Sequence, residues 1–145
     1  MRRLLSALLA VGLLLCQTAV AQPVLPVAGA RIANSAAMGY PTVLAALQGL
    51  KAKPGVTMSI SRGRGWIVAK EPASHSVWSF TPEGNYAYPA VVRQRVWQEA
   101  GQVFIETVAL CEAAKPKCDR LVHQFERESE QLKALLLRTQ ASNQK

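Results

Sequence analysis

Residues 90–109 read AVVRQRVWQEAGQVFIETVA, and this stretch decides the fold. Ala90 to Gln98 and Gln102 to Ala109 are two runs rich in β-branched side chains, joined through Glu99-Ala100-Gly101. Short apolar runs around a Gly-containing connection predict a β-hairpin. Upstream, Val56, Met58 and Ile60 alternate with Thr57, Ser59 and Ser61, the period of two expected of a strand. Arg62-Gly63-Arg64-Gly65 reads as a turn, and Trp66 to Lys70 as the next strand, ended by Glu71-Pro72. Ser76 to Thr81 is a further strand, closed by Pro82-Glu83-Gly84-Asn85. Strands this short with connections this tight predict an antiparallel β-meander of about five strands.

Downstream of the hairpin the period changes. From Pro116 to Arg138, Leu121, Val122, Phe125, Leu132, Leu135 and Leu136 recur at helical spacing, with Glu126, Arg127, Glu128, Glu130 and Lys133 on the other side. A long C-terminal amphipathic helix is expected to pack on one face of the sheet. Before the strands, Tyr40 to Lys51 predicts a short N-terminal helix, with Pro41 in its first turn and Val43, Leu44, Leu47 and Leu50 on one stripe. Lys53-Pro54-Gly55 stops it. The fold class is therefore α+β, a sheet with a helix layer, over residues 40–140 as one domain.

The N-terminus reads as an export signal. Arg2 and Arg3 precede an apolar run from Leu4 to Leu15, and Ala19-Val20-Ala21 supplies small residues for cleavage before Gln22. A spanning helix needs about 20 apolar residues, and this run is about a dozen. Leu15 is too large a neighbour for lipoprotein processing at Cys16. Residues 1–21 are thus expected to be a signal peptide, and residues 22–39, rich in Ala, Val, Pro and Gly, a flexible tether. The expected location is the periplasm or outside the cell.

Cleavage removes two of the 17 basic residues and leaves 9 acidic ones, a mature charge of about +6. A basic protein outside the cytoplasm meets anionic envelope material sooner than nucleic acid. Cleavage also removes Cys16, so Cys111 and Cys118 are left as a pair in an oxidising compartment, where a disulfide is expected. A redox pair is the alternative, although such pairs usually have C-x-x-C spacing. His75 and His123 have no ligand spacing with the cysteines, so no metal and no cofactor is expected. His123 has Asp119 and Arg127 four residues away on either side, ordinary helix-surface pairing. There is no phosphate loop, no H-E-x-x-H, no dinucleotide fingerprint and no strained nucleophile elbow beside Ser74-His75-Ser76.

A basic and aromatic pattern is the main candidate for binding. Val91, Arg93, Arg95 and Trp97 point one way along their strand, and Ala90, Val92, Gln94 and Val96 the other. With Val92 and Val96 toward the helix, Arg93, Arg95 and Trp97 form an open stripe. Trp66 shares a face with Lys70, and Arg62 and Arg64 lie in the turn before it. If these faces coincide, Arg62, Arg64, Trp66, Arg93, Arg95 and Trp97 make one ligand-binding surface for an anionic glycan, a lipid head group or an acidic peptide. The competing reading is that both tryptophans are packing residues with arginines stacked on them. A second candidate is the aromatic and proline-rich connection from Trp78 through Pro89, as a peptide-binding loop or as a loop packed on itself.

Trp78-Ser79-Phe80-Thr81-Pro82, Ala87-Tyr88-Pro89-Ala90-Val91-Val92, Arg95, Cys111, Cys118 and Phe125 together are similar to small exported proteins of Gram-negative bacteria with no assigned function. The resemblance spans roughly residues 76–130. It implies an envelope location and a disulfide, and it carries no activity. The expected function is a non-catalytic interaction module whose partner is an envelope protein or an anionic envelope component, not spanning the membrane after signal cleavage. The alternatives are an envelope-acting hydrolase using His75 and a thiol redox protein using Cys111 and Cys118.

Overall fold

A computed structural model describes residues 31–32 and 35–143. Its elements run β1 (Arg31–Ile32), α1 (Ser35–Met38), α2 (Val43–Ala52), β2 (Thr57–Ile60), β3 (Ile67–Glu71), β4 (Ser76–Phe80), β5 (Ala90–Glu99), β6 (Gln102–Cys111) and α3 (Lys115–Asn143). Strands β2 to β6 form the expected antiparallel meander, and β1 adds a short parallel edge beside β6, giving the sheet order β1-β6-β5-β4-β3-β2.

Because side chains alternate across a pleated strand, the pairing register sorts the sheet into two faces. One face carries Ala90 and Val92 of β5 and Ala109 of β6, which pack with Leu121, Val122 and Phe125 of α3. The other carries Ala69, Trp78, Phe80, Val91, Val108 and Leu110, which pack with Met38 and with Val43, Ala46 and Leu50 of α2. The long helix covers one face, as expected. The short helix covers much of the other, so the sheet lies between two helical layers and the face expected to be open is largely occupied.

Local chemistry explains several boundaries. Helix α2 starts later than Tyr40 because Thr42 is its N-cap: its side chain accepts a hydrogen bond from Ala45 N at 3.1 Å. The Glu112 carboxylate, just beyond β6, accepts from Val43 N at 2.7 Å and clamps that helix end to the sheet. Pro41 therefore precedes the helix. Leu44, expected on the buried stripe, is 62% exposed, and Ala46 takes its place. A small residue there lets helix and sheet approach closely.

Signal residues 1–21, and 22–30 of the expected tether, lie outside the described residues. The end of the tether does not behave as one: Arg31–Ile32 pair with β6, and Met38 is buried in the core. Burial of a large apolar side chain supplies the docking energy that composition alone does not reveal.

The β5–β6 hairpin turns on Ala100-Gly101, both at positive φ (48° and 77°), with Glu99 opposite Gln102. That backbone twist matches the twist of the strands, but it strains alanine. Replacing Ala100 by asparagine is expected to stabilise the protein by about 0.5–1 kcal/mol in urea denaturation.

Helix α3 is 29 residues, so about 43 Å long. Its stripe is buried only in the first half. At Ser129 the contact turns polar, with Thr107 at 2.8 Å and Gln94 donating to the Ser129 hydroxyl at 2.9 Å. Beyond it Leu132 and Leu135 are exposed, and Leu136 is the leucine that lines a cavity with Val96 and Val103 of the sheet.

Candidate functional site

Read across the strands, the face under α2 grades from apolar to polar. The first row is Ile67, Phe80, Val91 and Leu110; the second is Ala69, Trp78, Arg93 and Val108. The third is Glu71, Ser76, Arg95 and Glu106. Helix α2 packs on the first two rows. Glu71, Ser76 and Arg95 of the third row line a cleft of about 370 Å³, together with Tyr40, Lys53, Ser74, Trp78 and Arg93.

The centre of this cleft is Glu71, a buried carboxylate. It forms an ion pair with Lys53 at the C-terminal end of α2, and its other oxygen accepts from the Trp78 indole N–H at 3.0 Å. Burial alone would raise its pKa. Hydrogen bonds from Lys53, Ser74 and Trp78, together with the Lys53 charge, outweigh burial and hold the carboxyl below its ordinary value. The same hydrogen bond and charge raise the Lys53 pKa. Tyr40 meets Trp78 edge-on at 5.8 Å between centroids, so the indole is fixed from above as well.

Arg93 lies with its guanidinium 5.5 Å from the Trp78 centroid and one terminal nitrogen 3.4 Å from Glu106. Its Nε is fully buried and has no hydrogen-bond partner among the described residues. A buried donor left unsatisfied is costly, and a ligand acceptor entering the cleft would relieve that cost. Arg95, more exposed, extends over Trp97 at 5.8 Å, and Trp97 stacks on Phe104 at 5.4 Å.

The six residues expected to form one surface divide between opposite faces. Arg93, Arg95 and Trp97 share the α2 side. Trp66 packs against Phe125 of α3 at 5.7 Å, and Arg64 approaches Glu128 of α3 at 3.9 Å. Arg62 lies exposed in the same turn. Parity is the reason: Ile67 faces α2, so Trp66, one residue earlier, faces α3. Both tryptophans are packing residues in this arrangement. Glu71, Lys53, Ser74, Ser76 and Tyr40 were missed as site residues because their signal is purely tertiary. The Trp78–Pro89 connection is packed on the protein: Trp78 and Phe80 are core residues, Tyr86 Oη bonds Gln124 at 3.1 Å, and Arg120 lies 4.5 Å from the Tyr86 ring.

Comparison of the chain with protein-family models, with curated proteins and with solved structures gives no match. His75 is exposed, in the left-handed region at φ 50°, with its carbonyl accepting from Val96 N at 3.1 Å. His123 pairs with Glu126 at 2.8 Å rather than with the residues four positions away. Among the described residues no cluster of three or more His, Cys, Asp or Glu could hold a metal, and no helix is long and apolar enough to cross a membrane. Cys111 and Cys118 form a disulfide with Cα atoms 5.8 Å apart, joining the end of β6 to the first turn of α3.

Proposed function

We propose that this chain is an exported, non-catalytic binding module that holds an anionic component of the cell envelope in the cleft beside α2. The observation that carries this reading is the unpartnered, buried Nε of Arg93 next to the exposed Arg95, both at a cleft that Trp78 also lines. Two guanidinium groups offer forked donors to a carboxylate or phosphate, and the indole offers a flat apolar contact to the ligand body. Glu71 is engaged by Lys53 and Trp78, so its charge orders the cleft instead of repelling the ligand.

Nothing favours the hydrolase alternative: the cavity that His75 lines holds no carboxylate to act with it. Cys118 is buried, which suits a structural bridge better than a reactive thiol. Export rests on the N-terminal residues and agrees with the disulfide.

Co-sedimentation of the purified protein with isolated cell envelopes tests the reading. Arg95→Gln is expected to reduce retention about tenfold with an unchanged circular dichroism spectrum, the loss of one charge-assisted contact. Retention equal to the wild type would remove the cleft as the binding site.

A further inference from the structure

A second cavity, of about 510 Å³, lies on the α3 side of the sheet and is lined by none of the residues of the cleft. Along that side the contact between sheet and helix changes character twice. Ala90, Val92 and Ala109 pack with Leu121, Val122 and Phe125. Gln94 and Thr107 then meet Ser129 through hydrogen bonds. Beyond this polar layer the lining is apolar again, with Val96 and Val103 on the sheet and Leu136 on the helix. Val103 is buried and Val96 and Leu136 are half-buried, yet they border a hollow. Protein interiors rarely leave voids much larger than a water molecule, and walls without partner atoms lose dispersion contacts that a fitting molecule restores. The volume is that of a site for a small organic ligand, about 300–1,000 Å³.

The rim of the cavity is polar. Its exposed lining residues are His75, Gln98 and Thr139, with Gln140 half-buried beside them. Pairing between β4 and β5 ends at Ser76 opposite Arg95, whereas β5 continues to Glu99. Val96 N still donates to the His75 carbonyl at 3.1 Å. Backbone groups of alternate residues on an antiparallel strand point to the same side, so the N–H and C=O of Gln98 point past the end of β4. The Thr139 hydroxyl donates to the Leu135 carbonyl at 3.1 Å, which leaves its oxygen as an acceptor. Among the described residues that line the cavity, none is Asp, Glu, Lys or Arg. A charged ligand here would lose hydration and gain no counter-charge. We infer that this cavity is a second binding site, for an uncharged aliphatic molecule with one terminal group that both donates and accepts a hydrogen bond, a hydroxyl or an amide. The chain lies against Val96, Val103 and Leu136, and the terminal group sits at the rim with Gln98, Thr139 and Gln140.

Calorimetric titration of the purified protein with 1-butanol, 1-hexanol and 1-octanol tests this, with octanoate and octylammonium as charged controls of equal length. Affinity for the alcohols is expected to rise up to about fourfold per added methylene. Both charged controls are expected to bind about tenfold or more weakly than 1-octanol. In heteronuclear NMR spectra 1-octanol is expected to shift the amides of Val96, Gln98, Val103 and Leu136 and to leave those of Ala69 and Trp78, on the other face, in place. Thr139→Trp, made at an exposed helix position, is expected to fill the cavity and abolish alcohol binding. If that variant fails to fold, the wild-type length series and the shift map decide the matter together. Absence of saturable alcohol binding would overturn the inference. So would octanoate or octylammonium binding as tightly as 1-octanol, shifts confined to the other face, or unchanged binding by a folded Thr139→Trp variant. The cleft reading stands or falls separately, on envelope retention of Arg95→Gln.

Discussion

Glu71→Ala is expected to destabilise the protein by about 2–4 kcal/mol, because it leaves a buried indole N–H without an acceptor and opens a void beside it. The Trp78 ring is 4% exposed, so water cannot replace the lost acceptor without entering the core. The Lys53 contribution is the smaller part, since that side chain is half exposed and its charge is solvated when the partner is lost. Glu71→Gln separates the two effects: an amide oxygen still accepts from Trp78, so this variant should lose roughly 1 kcal/mol. Urea denaturation of both variants at neutral pH checks the order. Equal losses would mean that the charge, and not the indole hydrogen bond, dominates.

The same carboxylate makes stability depend on pH with a defined sign. Its pKa in the folded protein lies below the ordinary value of 4.5. The unfolded chain therefore binds the proton more readily, and the stabilisation is fully present above the ordinary carboxylate range. It fades as pH falls below 4.5 through the lowered folded value. The gap between wild type and Glu71→Gln should narrow in acid. A gap that stays constant to pH 3 would contradict this account.

Replacing Cys111 and Cys118 together by alanine is the second large effect, an expected loss of about 2–3 kcal/mol. The bridge closes a loop between residues seven apart in sequence, so most of its contribution is the chain entropy it removes from the unfolded state. In the folded state it fixes the direction in which α3 leaves β6. That direction places Leu121, Val122 and Phe125 over Ala90, Val92 and Ala109. The core on the α2 side contains no residue of the bridge or of α3 and should be spared. Hydrogen exchange of the double variant is expected to show faster exchange in α3 and little change in β3 and β4. Uniform acceleration throughout the sheet would show that the two faces do not open separately.

The two faces of the sheet also differ in how far they could be read beforehand. The face beneath α3 was legible because one periodic pattern met another: the alternation of Val92 and Val96 and the helical spacing of Leu121, Val122 and Phe125 are both local signals. The later part of that helix misled for the same reason. Leu132 and Leu135 keep the helical period and are exposed, whereas Leu136 lines a cavity with Val96 and Val103; a period records which side chains share a side, not what lies opposite them. The face beneath α2 was misread as open. Val43 and Leu50 of the α2 stripe cover it together with Met38 and Ala46, and a helical stripe does not say which sheet face it will meet; that depends on where the chain folds back.

The sequence by itself determined the five-strand antiparallel meander, the terminal helix, the pairing of Cys111 with Cys118 and the common face of Arg93, Arg95 and Trp97. Each follows from spacing over a few residues, where covalent geometry imposes periods of two or 3.6. Only the tertiary structure decided that Trp66 faces away from Trp97, that Glu71 joins Lys53 and Trp78, and that Arg93 and Arg95 line a cleft beside Trp78. Those outcomes depend on strand order and on which helix covers which face. They are set by the balance of burial over the whole chain, which no local spacing records.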